Sequence, residues 1–245
     1  MTTLLLIILG TLIGTIVIAL GGGGAAFYLG ILTSLFHLAP ATAATTSIVT
    51  ALPSLLIGTI IYIKQGRVNF HYGNRMLVSS LPAVIVGSLL SPFIPQLLYT
   101  WLIAIILVML GIQIIIKQRS TKKAKMHGKN SAIVYGIIAG LMVGVAGLSG
   151  GGATLAGLLI LGLNTFDATA TSSYVLVGMS ALGGLVHMTN GTIYWQAGIP
   201  LIIGAIIGAF IAPLLVNRLA KSRHAYLVQY FIALLLIIMG IKTVL

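Results

Sequence analysis

Long apolar runs follow one another along almost the whole chain and are separated by short polar breaks. An α-helix needs about 20 residues to cross roughly 30 Å of hydrocarbon. Ten runs are candidate membrane segments, at 4–20, 25–37, 41–63, 76–94, 98–116, 131–148, 153–164, 168–189, 197–216 and 225–245. Because the runs at 25–37 and 153–164 are too short to span comfortably, the pattern predicts an all-α polytopic membrane protein with about 8–10 membrane segments.

Both short runs directly follow glycines, GGGG at Gly21–Gly24 and SGGG at Ser149–Gly152. Glycine is the weakest helix former after proline, and four adjacent glycines exceed the i, i+4 spacing that close helix packing uses. We interpret each run as the bend of a broken or re-entrant hairpin, with helix packing as the alternative role. Irregular backbone at membrane depth is tolerated only where protein buries it or water lines it.

Short motifs of the first half return in the same order in the second half. This order predicts two five-segment repeats, 1–116 and 131–245, joined by a linker at 117–130. The matched motifs are GGGGA (21–25) with SGGGA (149–153), ATAATTS (41–47) with ATATSS (168–173), QGRVNF (65–70) with NGTIYW (190–195), and LGIQ (110–113) with MGIK (239–242).

Composition and charge then constrain the class of protein. Hydrophobic residues make up 59% of the chain and charged residues 6%, too few to cover a water-facing surface. The net charge of +12 arises from 13 Lys or Arg against a single acid. These charges lie in a few short loops without interleaved aromatic residues, so we predict no nucleic-acid partner and a role for the charges in membrane topology.

The basic loops predict how the repeats are oriented. By the positive-inside rule, the loops at 64–75, 117–130 and 217–224 are cytoplasmic. The basic loop follows the third segment in the first repeat but the fourth segment in the second repeat. We therefore predict inverted repeats, each opening with a glycine-broken hairpin, in the cell (inner or plasma) membrane and with both termini outside.

The glycine-run hairpin, the Ala/Thr/Ser-rich start of the next helix and the repetition of both resemble the TauE/SafE family of sulfite exporters, also called the TSUP family of membrane transporters. The resemblance covers essentially the whole chain. It implies secondary transport of a small anion, such as sulfite or a sulfonate, at a site between the two repeats. It is also consistent with a membrane homodimer.

The residues themselves give a second reason to expect an anion. Broken helices in inverted repeats present N-termini, with unpaired N–H groups and partial positive charge, near the membrane midplane. No Lys or Arg falls inside a predicted span, so dipoles and hydroxyls would hold the anion, although close packing and bonds to their own helix are alternative roles. The candidate substrate-binding residues are Gly21, Gly22, Gly23, Gly24, Thr45, Thr46, Ser47, Ser149, Gly150, Gly151, Gly152, Thr171, Ser172, Ser173 and His187.

The roles of two ionisable residues, His187 and Asp167, are considered individually. His187 lies near the end of the segment 168–189, where it could move a proton or donate to an anion, or form a structural bond to a neighbouring helix. Asp167 is the only acid of the chain and directly precedes a small-residue helix start. For Asp167 we predict a helix N-cap.

An enzymatic function is not predicted. One acid cannot supply a Ser/His/Asp triad or a pair of carboxylates for acid–base chemistry. The chain has no Cys, and its His residues lack metal-ligand spacing. No cofactor or metal is therefore expected. A channel-like or broader metabolite permease and a non-transport membrane assembly subunit are the alternatives to a carrier.

Overall fold

The computed structural model describes residues 2–20, 25–95, 130–147, 150–190 and 192–219, together with single positions between 97 and 116 and between 230 and 244. This part of the chain is helical and contains no strand. The described residues include eight α-helices with defined bounds, and a short 3-10 turn at Ser91–Phe93 follows the fourth of them. The helices are α1 (Thr2–Leu20), α2 (Ala25–Ser34), α3 (Pro40–Lys64), α4 (Phe70–Leu90), α5 (Asn130–Ala146), α6 (Gly151–Ile160), α7 (Thr165–Asn190) and α8 (Trp195–Leu219).

Four of these helices, α3, α4, α7 and α8, contain stretches long and apolar enough to cross a membrane. The helices α2 and α6 have 10 residues each, which corresponds to about 15 Å, or half of a hydrocarbon core. The two runs predicted to be too short are short helices, and four predicted spans are present. Within the described residues, the predicted spans 4–20 and 131–148 contain shorter apolar helices, at Thr3–Thr15 and Ser131–Val145. The helix α4 begins at Phe70 and not at 76, because the Asn69 side chain caps it by accepting the Tyr72 N–H at 3.1 Å.

The outer surface of the bundle is apolar, whereas its interior contains hydroxyl groups. Large aliphatic and aromatic side chains are exposed on the outside, among them Val78 and Phe210 at 68% and 63%. Apart from His187, the buried polar side chains among the described residues are all Ser or Thr. This distribution suits a protein surrounded by lipid, because apolar groups face hydrocarbon and polar groups find partners inside.

The helices α3 and α7 pack side by side in opposite directions. Near the start of α3, the Thr45 hydroxyl reaches the backbone carbonyl of His187 near the end of α7. Just after the end of α3, the Asn69 N–H donates to the hydroxyl of Thr171 near the start of α7. We call the end with the 64–69 loop and the start of α7 the basic end. The opposite end holds the starts of α3 and α8.

The helices α5 and α6 form a hairpin that returns to the basic end. A Cβ added at Gly136 would lie 2.7 Å from the Met76 carbonyl oxygen, and one at Gly144 would lie 2.9 Å from the Ser88 nitrogen, so α5 runs parallel to α4 at very short range. The next helix runs backwards along α5, because Gly150 approaches Ala139 whereas Gly157 approaches Tyr135.

The helices α1 and α8 make a similar close pair. A Cβ added at Gly10 would lie 3.2 Å from the Cα of Gly204, and one at Gly208 would lie 3.0 Å from the carbonyl carbon of Gly14. Small residues at four-residue spacing let two membrane helices approach this closely. The helix α2 is buried along its whole length, and Phe36, just beyond its end, lies against Tyr194 at the opposite end.

Candidate functional site

The bend between α5 and α6 lies against the start of α3. Gly147 has a φ of +63°, a left-handed conformation that glycine adopts without the steric cost that a Cβ brings. Its carbonyl accepts a hydrogen bond of 3.2 Å from the Ser47 hydroxyl. A Cβ added at Gly147 would lie 2.6 Å from the Cα of Ala44. The bend therefore requires glycine for its conformation and for the space between the two halves of the chain.

The predicted bend at Ser149–Gly152 is displaced in the structure. The left-handed residue is Gly147, Gly150 stands at the N-cap of α6, and Gly151 and Gly152 already belong to that helix. The glycine run thus opens a helix after the turn and is only partly the turn itself. Gly21, Gly22, Gly23, Gly24 and Ser149 lie outside the described residues.

The start of α6 is packed too closely for any larger residue at Gly150. A Cβ there would lie 2.6 Å from the carbonyl oxygen of Ala139. The Gly150 carbonyl accepts both the N–H and the hydroxyl of Thr154, at 3.0 and 2.8 Å. The N–H groups of a first helical turn have no acceptor within their own helix and give that end a partial positive charge.

The hydroxyls of the first cluster, Thr45, Thr46 and Ser47, are all engaged. Each side chain is buried and donates to a carbonyl of its own helix, at 2.7 to 2.9 Å. Thr46 also accepts the Tyr194 N–H at the start of α8, at 3.0 Å. Since a hydroxyl carries one proton, these side chains would have to rotate before they could donate to an anion.

The second cluster, Thr171, Ser172 and Ser173, is equally buried but differs in one member. Ser173 donates to the Thr169 carbonyl at 3.0 Å, and Thr171 accepts the Asn69 N–H at 2.9 Å. The hydroxyl of Ser172 is fully buried and has no hydrogen-bond partner among the described residues. Ser172 is therefore the one side chain of the two clusters that has no hydrogen-bond partner among the described residues.

The structure does not bring the two clusters together. Thr45 contacts the carbonyl of His187, and His187 is 16 positions beyond Thr171 in α7, about 24 Å at 1.5 Å per residue. The first cluster lies towards the opposite end and the second towards the basic end. A single sulfite-sized anion could contact only one of them at a time.

His187 is buried and forms an interhelical hydrogen bond. Its Nε2 lies 2.7 Å from the carbonyl oxygen of Gly144 in α5. Because a carbonyl only accepts, Nε2 carries the proton. This is the structural alternative considered for the residue, and it joins α7 to the last turn of α5.

Asp167 is not the N-cap of α7. That position belongs to Asn164, whose Oδ1 accepts the Asp167 N–H at 3.0 Å while its Nδ2 donates to the Asp167 carboxylate at 2.6 Å. Asp167 is the third residue of the helix, where a carboxylate stabilises the positive helix end. Its other oxygen lies 3.6 Å from Nη1 of Arg67.

Sequence reasoning missed Gly147, Asn69 and Asn164. Gly147 lies inside the predicted run 131–148, although glycine is a common residue at the C-terminal end of a helix. Asn is a preferred N-cap, so Asn69 and Asn164 had local signals. The partners of Thr46 and Thr171 had none. Both are backbone N–H groups, more than 100 positions away in the chain.

An apolar exterior, an interior of hydroxyl groups and four helices of spanning length define a multi-pass helical membrane protein. Residues 6–243 match the family model described as sulfite exporter TauE/SafE. The chain therefore belongs to this family of membrane transporters, and the resemblance seen in the motifs is confirmed.

Two relatives that match most of the chain are named as membrane transporters, whereas a third, partial match is named as an enzyme. The probable membrane transporter protein YdhB of Bacillus subtilis is 26% identical over 227 residues, covering 89% of this chain and 92% of the relative. The probable membrane transporter protein YunE of the same organism is 22% identical and covers 96% of both chains. Undecaprenyl-diphosphatase 2 of Paramagnetospirillum magneticum is 30% identical, but over 66% of this chain and 64% of that enzyme.

Proposed function

We propose that the protein is a secondary transporter of a small anion, sulfite or an organosulfur anion such as a sulfonate. Transport would proceed by alternating access between two inverted repeats, residues 1–116 and 131–245, joined by the linker 117–130. The observation that carries the anion assignment is the buried hydroxyl of Ser172, which has no hydrogen-bond partner among the described residues, inside an apolar bundle. Membership of the family supports a membrane transporter, and the Ser172 hydroxyl offers a hydrogen-bond donor for an anion.

Hydrogen bonds at equivalent positions of the two halves support the inverted repeats. Thr171 lies 125 positions after Thr46, and their hydroxyls accept the N–H groups of Asn69 and Tyr194, which are also 125 positions apart. His187 lies 125 positions after Tyr62, and both side chains bond to a carbonyl near the end of the helix that opens their repeat, Gly144 and Ile18. Each half thus uses the same positions to hold a neighbouring helix.

The direction of the helices supports the same proposal. In the second half, α5 runs away from the basic end and α6 returns to it. In the first half, α1 runs parallel to α8 and α2 returns towards the opposite end. If the basic end is cytoplasmic, as its charges favour, the N-terminus lies outside. By the repeat symmetry the C-terminus would also lie outside.

The separation of the hydroxyl clusters shapes the mechanism that we propose. Each cluster would serve as a donor set near one end of a path between α3 and α7, with the glycine-opened helix of the other repeat beside it. Ser47 already contacts the α5–α6 bend at Gly147. We propose the same role in substrate binding for Gly21–Gly24 as for the glycines that open α6. Weak dipolar binding at both ends would allow the anion to be released as well as captured.

The decisive experiment compares Ser172→Ala with Ser173→Ala in proteoliposomes. We would measure saturable uptake and counterflow of sulfite, sulfate, thiosulfate, a sulfonate and a carboxylate. The first variant should lose at least about tenfold in apparent affinity, since one hydrogen bond to a charged group is worth about 1.5–3 kcal/mol. The second should lose less, because the Ser173 hydroxyl already donates to the Thr169 carbonyl and would have to break that bond to reach an anion.

Three results would contradict the proposal. Non-saturating conductance would favour a channel, and absence of flux for every anion would favour a membrane assembly subunit. Hydrolysis of a lipid diphosphate by the same liposomes would favour the enzymatic relative. Crosslinking in the membrane would show whether the protein forms the homodimer that we propose on the family resemblance.

The driving force is part of the proposal. The membrane potential alone favours expulsion of an anion from a negative interior. A protonated form of the substrate or His187 could add proton coupling. Flux under imposed voltage or pH gradients separates these sources, and strict proton dependence that survives replacement of His187 would exclude the histidine.

A further inference from the structure

The two halves of the protein meet at the basic end through Asp167, the only acidic side chain of the chain. Asp167, in the first turn of α7, lies 3.6 Å from Nη1 of Arg67 in the α3–α4 loop. The Arg67 guanidinium also lies over the ring of Phe166, with its carbon 5.6 Å from the ring centroid. Next to them, the Asn69 N–H donates to Thr171 at 2.9 Å.

The opposite end has a junction at matching positions with different chemistry. Thr42 lies 125 positions before Asp167, and Thr192 lies 125 positions after Arg67. Their hydroxyl oxygens are 3.4 Å apart, a long hydrogen bond between exposed side chains. The accompanying bond from the Tyr194 N–H to Thr46, at 3.0 Å, matches that of the basic end.

The two junctions share one kind of contact and differ in the others, of which the ion pair is the one between charged groups. Each has a hydroxyl that accepts a backbone N–H of the other half. The basic end adds an ion pair and a cation–π contact, whereas the opposite end adds one weak contact between hydroxyls. Opening the basic end separates a charge pair that opening the opposite end leaves intact.

We propose that Arg67, Asp167 and Phe166 form a latch that keeps the basic end closed at rest, so that the opposite end opens more often. This inference rests on the proposed alternating-access transport. The latch would make the two access states of a nearly symmetrical fold unequal. Placing the single acid of the chain at this junction is the feature that creates the inequality.

The expected size of the effect is modest. Arg67 and Asp167 are 49% and 34% exposed, and exposed pairs of this kind contribute about 0.2–1 kcal/mol. At 1.4 kcal/mol per tenfold, that range is a shift of up to about fivefold between the two states. Salt should weaken the latch by screening the charges, but should leave the contact between hydroxyls unaffected.

The chain has no Cys, so single introduced thiols can report the opening of each end. Ala43 and Ala168 are equivalent, fully buried positions in the first turns of α3 and α7. In Ala43→Cys and Ala168→Cys proteins reconstituted in liposomes, we would measure labelling by a small hydrophilic maleimide. The thiol at 43 should react about two- to fivefold faster than that at 168.

Arg67→Gln should raise labelling at 168 by about two- to fivefold, and added salt should do the same without the substitution. Lys64→Gln, which removes a charge from the same end outside the ion pair, is the matched control and should change nothing. Thermal unfolding would verify that each variant is folded.

Two outcomes would overturn the latch. One is unchanged labelling at 168 in folded Arg67→Gln protein, and the other is an equal effect of Lys64→Gln. Anion flux is measured on the same liposomes, so the two proposals fail separately. Flux without any labelling shift would refute the latch alone, whereas a labelling shift without flux would refute the transport of these anions and retain the latch.

Discussion

His187 and Gly144 are joined by a hydrogen bond of 2.7 Å between the imidazole Nε2 and the backbone carbonyl oxygen. In the first half of the chain, the Tyr62 hydroxyl donates to the Ile18 carbonyl at 2.6 Å. Two chemically different side chains thus perform the same task, joining the long helices α7 and α3 to the ends of α5 and α1. The shared geometry identifies a structural role for His187.

His187→Leu should lower the free energy of unfolding by about 1–2 kcal/mol, because the imidazole that donates to Gly144 is lost. His187→Tyr should recover most of this loss, since a tyrosine makes the equivalent bond in the other repeat. Thermal unfolding in detergent would measure both. Equal stability of His187→Leu and the unmodified protein would show that the bond contributes nothing.

Gly147→Ala should destabilise the protein far more than Gly66→Ala. Both glycines have a positive φ, at +63° and +65°, so both alanines carry a conformational cost of about 1–2 kcal/mol. Only at Gly147 would the new Cβ also collide with Ala44, whereas nothing lies within 4 Å at Gly66. The difference in melting temperature measures the packing cost alone, and similar losses would mean that the bend can shift away from α3.

Gly204→Ala should loosen the contact between α1 and α8, because its Cβ would lie 2.7 Å from the Thr11 nitrogen. Gly198→Ala, in the same helix, is the control, since its nearest neighbour would be Thr46 Cγ2 at an ordinary 3.6 Å. That control should stabilise by about 0.5–1 kcal/mol through helix propensity. Thermal unfolding of the pair tests the assignment, which a stabilising Gly204→Ala would contradict.

Thr46→Val should cost about 1–2 kcal/mol and speed hydrogen exchange at the Tyr194 amide, because the start of α8 loses its acceptor. Thr50→Val is the counterpart one turn further along α3. The Thr50 hydroxyl is buried without a partner among the described residues, so its removal should be neutral or stabilising. Equal losses in the two variants would mean that the interhelical bond to Tyr194 adds no stability.

The long apolar helices were predictable because their signal is local. The segments 41–63 and 168–189 correspond to α3 and α7 within three residues at each end. The start of α4 was missed because HYGNR is polar, while Asn69 caps a helix that begins within it. The family also followed from local motifs, since glycine runs and hydroxyl clusters are visible in the chain itself.

The candidate site was predictable in its residue types but not in its arrangement. The sequence groups Thr45 with Ser47, and Thr171 with Ser173, yet it does not show that these groups lie about 24 Å apart along α7. From the sequence alone, all six hydroxyls of the two clusters are equally good candidates for substrate binding. In the structure, Ser172 is the one with neither a donor nor an acceptor among the described residues.

Apolar length, charge placement and short motifs can be recognised along the chain itself, and they were enough for the class of protein, the family and the long helices α3 and α7. The partners of Thr46, Asp167 and His187 depend on which helices pack together. Thr46 bonds to Tyr194 across 148 positions, and Arg67 meets Asp167 across 100. No local pattern encodes such pairs, because the burial of whole helix faces, and not any single residue, determines which helix ends meet.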